Sequence, residues 1–337
     1  MDELKAKGIE YFINIRSNVL ETLRMFNDLL GKNKSMSRKK NIQDWIVATR
    51  PWSFPASTMP ALITISYLFF VRNELLVNIN WVYGVLAFFG AAIFQASGNL
   101  ISDYFDYQNG VDRKESFGSS RMLVDEVFRP ETILRFGIIL LFIGIALGLF
   151  LFAKTGVELL WIGFIGALAT YFYYKLKFAA LGDFVIFIVY GPLIGLGTAF
   201  VMTNQLMWDT VLLNIPIAFL AVNILHSNNM RDIRDDSRAN IKTRAMVMGI
   251  KKSKIQYLVL AVGAYLGVIL MVVLGMLHPL TLIVFLSAPI EMKNIKLMLT
   301  AEVEKPELIK DLDANSAQLV LAFSLLLSIA NFIAPVL

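Results

Sequence analysis

Two stretches of the chain carry amides and carboxylates at spacings suited to chemistry. The first is Asn99-Leu-Ile-Ser-Asp103-Tyr-Phe-Asp106-Tyr-Gln-Asn-Gly110-Val-Asp112; the second is Asn228-x-x-x-Asp232-x-x-Asp235-Asp236. In each, an amide is followed by acids four and seven residues on, so a helix would stack the three side chains on one face. Carboxylates gathered in this way repel one another and are costly to strip of water. A hard divalent cation relieves both costs. Mg²⁺ in particular is held by one or two carboxylates and leaves room for phosphate oxygens. The two stretches lie 129 residues apart, a hint of an old duplication of a four-helix unit.

Bases surround the acids. Arg113, Lys114 and Arg121 follow the first stretch, and Arg231, Arg234, Arg238, Lys242 and Arg244 surround the second. Acids alone point to a cation site; acids with this many bases point to a metal bound together with a polyanion, most simply a diphosphate. Tyr171-x-x-x-Lys175 adds a phenol and an ammonium on one helical face. Bases in such a chain also serve as topology signals and interfacial anchors. Lys251, Lys252 and Lys254 fit that plainer role, whereas Arg121, Lys175 and Lys242 lie near the acids in sequence or topology.

The elements that must position these residues are membrane helices. Of 337 residues, 57% are hydrophobic and only 17% charged, with mean hydropathy +0.63; soluble domains carry about a quarter charged residues. Several apolar runs reach the roughly 20 residues that cross a bilayer as a helix. The runs are continuous rather than alternating, which argues against a barrel. The expected fold is an all-α polytopic membrane protein of about nine spans, near 55–72, 81–102, 133–153, 157–174, 182–202, 208–228, 254–277, 279–295 and 315–336. Pro55, Pro60, Pro192, Pro216 and Pro289 fall within spans and predict kinks. The chain has no cysteine, which excludes disulfides and thiolate chemistry, and only His226 and His278 as histidines, which argues against a His-rich metal site. The net charge of +5 reports topology rather than a nucleic-acid partner.

Charge asymmetry tests the span count. With the N-terminus inside, all but three of the 31 lysines and arginines fall on the inner side; the exceptions are Arg72, Arg135 and Lys154. That bias follows the positive-inside rule and puts both acidic stretches at cytoplasmic helix ends, where they can face one cavity. Residues 1–44 form a polar, basic segment with no signal-peptide pattern. In it Ile9, Phe12, Ile13, Leu20, Leu23, Phe26 and Leu30 recur at near-helical spacing, as in an amphipathic interfacial helix or a helix that binds a partner. Residues 45–337 form the membrane domain.

These motifs resemble those of the UbiA superfamily of intramembrane prenyltransferases, which carry Asn-x-x-x-Asp-x-x-(x)-Asp after span two and Asp-x-x-x-Asp after span six. Asn99, Asp103 and Asp106 match the first, and Asp232 and Asp236 the second. The longer patterns, through Gly110-Val-Asp112 and from Asn228-Asn-x-Arg-Asp-Ile to Lys242-Thr243, are similar to those of the 1,4-dihydroxy-2-naphthoate polyprenyltransferase branch. So are Arg50-Pro51-Trp-Ser-Phe-Pro55, Gly118-Ser-Ser-Arg121 and Leu181-Gly182-Asp183. The resemblance implies a polyprenyl diphosphate donor, Mg²⁺ held by Asp103, Asp106, Asp232 and Asp236, and Asn99 positioning the first cluster. It also implies Arg121, Tyr171, Lys175, Lys242 and Asn228 on the diphosphate, and an aromatic acceptor, dihydroxynaphthoate. The setting would be the cell (inner) membrane, with the site opening on the cytoplasmic side. Two other classes use intramembrane acids. A cation-coupled transporter would place them near the midplane; a CDP-alcohol phosphotransferase would need Asp-Gly soon after the first acid pair, where Tyr107-Gln108 stands.

Overall fold

The computed structural model describes residues 40–113, 119–238 and 242–337, without the side chains of residues 170–175, 177 and 178. The amphipathic helix expected between Ile9 and Leu30 lies outside the described residues. Every regular element among the described residues is helical.

The short helix α1 (Ile42–Ala48) opens on a reciprocal cap, in which Asn41 Oδ1 accepts from Asp44 N (2.8 Å) and Asp44 Oδ2 from Asn41 N (2.9 Å). A 3₁₀ turn, Pro51–Ser53, leads into α2 (Pro55–Val71). Then follow α3 (Trp81–Gln108), α4 (Pro130–Thr155), α5 (Glu158–Phe178) and α6 (Gly182–Thr203). A wide π turn at Val189–Leu193 interrupts α6 around Pro192. After the short α7 (Asp209–Leu213) come α8 (Ile215–Arg231), α9 (Ile233–Arg238) and α10 (Arg244–Val273). A 3₁₀ run, Pro279–Ser287, enters α11 (Ala288–Thr300), and α12 (Leu312–Ile333) ends the bundle.

The helices close a ring. Helix α2 packs on α3 and α12, α3 on α4, α4 on α5, α5 on α6, α6 on α8, α8 on α10, α10 on α11 and α11 on α12. Close approach needs small residues, as between membrane helices generally. At Gly137 of α4, a Cβ would stand 2.9 Å from Ile101 of α3, and Ser97 of α3 donates to the Gly137 carbonyl at 2.8 Å. At Gly191, in the π turn, a Cβ would meet the Asn214 carbonyl oxygen at 2.9 Å.

The polarity is inside out. Thr64, Asn214, Asn223, His226 and Asn331 are buried, whereas Phe142, Trp161, Val259 and Val273 are more than half exposed. Water would not tolerate that surface, but lipid does. Five helices are long and apolar enough to cross a membrane: α3, α4, α6, α10 and the segment Pro306–Val336; α2 and Glu158–Ala169 are shorter apolar helices. The chain is an integral membrane protein.

Two expectations change. Pro55, Pro216 and Pro289 stand in the first turns of α2, α8 and α11, where a missing N–H costs nothing, so they start helices rather than kink them. Only Pro60 and Pro192 lie inside helical segments. The continuous part of α10 begins after Gly249, ahead of residue 254, and residues 244–248 form a separate turn across the kink there (φ 73°, ψ 162°).

Candidate active site at one end of the bundle

Asn99, Asp103 and Asp106 occupy the last turns of α3. Asn99 is buried; its Nδ2 donates to the Thr49 carbonyl and to Ser53 Oγ, each at 2.8 Å, and its Oδ1 accepts from Gln95 Nε2 at 3.2 Å. Gln95 in turn accepts from the hydroxyl of Tyr190, which the π turn of α6 presents (2.7 Å). Asn99 therefore ties α3 to the turn before α2 and, through Gln95, to α6.

Asp103 is 2% exposed. Its Oδ1 lies 3.2 Å from Arg50 Nη1, and its Oδ2 accepts from Ser120 N (3.0 Å) and Ser120 Oγ (2.6 Å). Both loops that close on it are bent into the left-handed region, at Arg50 (φ 55°), Ser119 (φ 52°) and Arg121 (φ 60°). Such conformations are costly for residues with a Cβ and recur where backbone strain holds a functional geometry.

Asp106 accepts from Ser102 Oγ at 3.2 Å. Its carbonyl also accepts from Val111 N (2.9 Å) and Asp112 N (3.2 Å), with Gly110 at φ 68° turning the chain back. Asp112 thus returns to the other acids. Burial, then the negative charges of Asp103 and Asp106, push its carboxyl up to about 7, against the opposing pull of Arg50 and a hydrogen bond from Ser119. Burial is the larger cause, and the two neighbouring carboxylates add to it.

The second motif caps α8. Arg231 is buried and acts as a hub. Its Nε lies 2.7 Å from Asp232 Oδ1, its Nη2 2.9 Å from Asp232 Oδ2, and its Nη1 2.8 Å from Asp313 Oδ2 and 3.1 Å from the Lys310 carbonyl. The same guanidinium donates to Asn228 Oδ1. Asp236 is buried one turn on, its N–H donating to the Asp232 carbonyl at 2.8 Å. The buried Nε of Arg234 has no hydrogen-bond partner among the described residues.

Beside this motif lies a chain of polar groups absent from the expected site. Asp183, at the start of α6, accepts from Gln256 Nε2 (2.6 Å) and faces His226 Nδ1 (3.2 Å). His226 is fully buried, and its Nε2 faces the Ser253 carbonyl at 3.0 Å, so that nitrogen carries a hydrogen. Gln256 accepts from Arg244 Nε at 2.9 Å. The network fastens α6, α8 and α10 together under Asp232.

The two motifs share one end of the bundle. Helices α2 and α12 pack side by side: Asn331 reaches Ser66 near their far ends (3.3 Å), and the Pro51–Ser53 turn also touches α12. That turn holds Asn99, while the first turn of α12 supplies Asp313 to Arg231.

The other expected site residues fall out as follows. Arg121 is paired with Asp125 through Nη2 (3.0 Å) and Nε (3.3 Å), and its neighbour Ser120 reaches Asp103 instead. Lys242 is exposed. The side chains of Tyr171 and Lys175 lie outside the described residues. Arg50, Ser120, Asp112 and Asp183 were missing from the expected set although each stands in a quoted motif. Spacing alone does not show which motif residue touches which.

Among the described residues, no three His, Asp or Glu side chains converge tightly enough to hold a metal unaided. The donor set fits Mg²⁺ in the shared manner, with carboxylates from two motifs and the remaining positions left to substrate oxygens and water. The negative charges of Asp103 and Asp106 beside Asp112 agree with a cation at the first motif.

Two Asn/Asp motifs, tied to Arg50 and to the buried Arg231, thus cap an all-helical membrane bundle. Residues 61–304 match the UbiA prenyltransferase family, and the chain belongs to it and is a prenyltransferase, not a transporter. It is 35% identical over 241 residues to UbiA prenyltransferase domain-containing protein 1 of Xenopus tropicalis, covering 69% of this chain and 68% of that protein. It is 30% identical over 253 residues to 1,4-dihydroxy-2-naphthoate octaprenyltransferase of Bacillus subtilis, covering 74% and 79%. A UbiA homolog from Archaeoglobus fulgidus, solved bound to DMAPP and Mg²⁺, shares the fold with a TM-score of 0.53 at 12% identity, covering 85% of this chain and 99% of that one.

Proposed function

We propose that the protein transfers a polyprenyl group from polyprenyl diphosphate to 1,4-dihydroxy-2-naphthoate, with loss of carbon dioxide, giving the aromatic diol that is the reduced form of demethylmenaquinone. The observation that carries the reading is the gathering of Asp103, Asp106 and Asp112 at the end of a membrane bundle, with Asp103 buried against Arg50 and Ser120. The relation to the Bacillus subtilis octaprenyltransferase and the naphthoate-type ending Gly110-Val-Asp112 favour this acceptor.

Asp103 and Asp106 from one motif and Asp232 and Asp236 from the other would hold Mg²⁺. When bound, the ion supplies positive charge to the diphosphate. Arg234, Lys242 and Lys175 add cations for the leaving group; Asn99, Asn228 and Arg231 keep the two motifs rigid. The prenyl C1–O bond breaks with its electron pair leaving on the diphosphate. The allyl cation is shielded from water by apolar walls until the electron-rich ring attacks C1. The ring carbon that bonds C1 then releases its carboxylate as carbon dioxide, which restores the aromatic diol.

The same reading places nine crossing segments around a central cavity, the N-terminus and the site on the cytoplasmic side of the cell membrane, and residues 1–44 outside the membrane domain 45–337. The charge bias of the loops supports it. The test is a competition. Purified protein with Mg²⁺ and labelled polyprenyl diphosphate should prenylate dihydroxynaphthoate far faster than 4-hydroxybenzoate. Equal rates, or preference for the benzoate, would overturn the acceptor while leaving the class of reaction.

A further inference from the structure

Glu291 lies in the apolar run of the eighth expected span and belongs to neither acidic motif. Helix α11 buries one face, formed by Glu291, Asn294 and Met298, against α10 and α12, while Lys293 and Lys296 on the same helix are exposed. Glu291 is 3% exposed and Asn294 fully buried, and among the described residues neither oxygen of Glu291 nor either polar atom of Asn294 has a hydrogen-bond partner. A carboxylate in this state is among the costliest groups a membrane protein can hold, and such residues are functional by default.

Its surroundings offer it few hydrogens. The charge of Glu291 acts on two phenols of α10, Tyr257 and Tyr265. Ser287 Oγ gives its hydrogen to the Val284 carbonyl (2.6 Å), so in the 2.8 Å contact between Tyr265 and Ser287 the phenol is the donor. Ser227 Oγ gives its hydrogen to the Asn223 carbonyl (2.7 Å), Ser316 faces Ser227 at 3.5 Å, and Tyr257 meets Ser316 at 2.9 Å. The Tyr265 phenol has given its hydrogen to a serine, so its oxygen presents lone pairs only.

We propose that Glu291 and Asn294 bind one monovalent metal cation, Na⁺ or K⁺, at a site separate from the acidic motifs. Carboxylate and amide oxygens suit a hard cation, and a single carboxylate balances one positive charge but not two. A proton would neutralise Glu291 too, but it would make one hydrogen bond and leave the other lone pairs unsatisfied.

The test is thermal unfolding of the purified full-length protein in detergent with EDTA, in sodium, potassium or N-methylglucamine chloride at equal ionic strength. A saturable rise in Tm on the order of a few degrees is expected with one alkali cation. It should persist in Asp106→Asn/Asp232→Asn and vanish in Glu291→Gln. Equal Tm in all three salts, or a shift that survives in Glu291→Gln, overturns the site; the first of these with a fully stable Glu291→Gln assigns a proton instead. If Glu291→Gln does not fold, binding of radiolabelled Na⁺ or Rb⁺ decides. One saturable site per chain, weakened at least tenfold by Asn294→Leu, supports the proposal, and no saturable binding to the wild type overturns it.

Discussion

Arg50 and Asp103 form a part-buried ion pair at 3.2 Å across 53 residues of sequence, with side chains 19% and 3% exposed. The pair helps set the electrostatic state of the first motif. Burial, then the charges of Asp103 and Asp106, raise the Asp112 carboxyl, and Arg50 opposes them. It also changes what alanine substitutions can report. Removing either partner leaves an uncompensated charge in a dry site, at a cost of about 3–5 kcal/mol.

Arg50→Ala should therefore lose both stability and activity. Tm in detergent should fall by the equivalent of about 3 kcal/mol, and Arg50→Lys should recover most of the Tm by restoring the charge. An Arg50→Ala protein with wild-type Tm would show that the pair is not formed.

For the same reason, Asp103 and Asp232 should be tested as Asn rather than Ala. Asp232 is gripped through both oxygens by the buried Arg231. Asp232→Asn should reduce kcat at least a hundredfold, on the scale of lost transition-state charge stabilisation of about 3 kcal/mol. Asp313→Asn, which removes Arg231's other carboxylate, should lower Tm with a smaller loss of kcat. The reverse order would move the catalytic role from Asp232 to Asp313.

The raised Asp112 carboxyl gives a pH dependence of defined sign. The native state holds a proton that the unfolded chain releases at its ordinary value of 3.8. Stability from this group is thus full below about pH 4 and is lost as pH rises to about 7. Mg²⁺ binding should displace the proton, so Mg²⁺ affinity should rise with pH across that window. Asp112→Asn should flatten both trends in Mg²⁺ titrations followed by Tm. An unchanged slope would place the titrating group elsewhere.

The network under the second motif predicts a split between two of its members. His226 is fully buried between Asp183 and the Ser253 carbonyl, whereas the Arg244 side chain is 43% exposed. His226→Ala should lower Tm by the equivalent of about 2 kcal/mol through unpaired polar groups. Arg244→Gln should leave Tm near wild type and raise KM for the diphosphate substrate. If the two variants behave alike, Arg244 is only a strut.

Local patterns made much of this legible in the sequence. The stacked Asn99, Asp103 and Asp106 follow from helical spacing, and the apolar runs from hydropathy. Pairings between distant segments were not legible. Nothing in the spacing selects Arg50, Ser120 or Tyr190 as neighbours of α3, or joins Asp183 to His226, because those contacts arise when separate helices pack. Pro55, Pro216 and Pro289 misled because a proline within an apolar run reads the same whether it bends one helix or starts another. Glu291 was invisible for the opposite reason: one acid barely lowers the hydropathy of its window, although it is buried with no hydrogen-bond partner among the described residues.

The central claim is that the two acidic motifs act together on one diphosphate. The direct measurement is release of diphosphate from labelled polyprenyl diphosphate by purified protein, with acceptor present, as Mg²⁺ is titrated. The account predicts Mg²⁺-dependent release coupled one-to-one to prenylated aromatic product, lost in Asp106→Asn and in Asp232→Asn alike. Release that persists in either variant, or that needs no divalent cation, would contradict it.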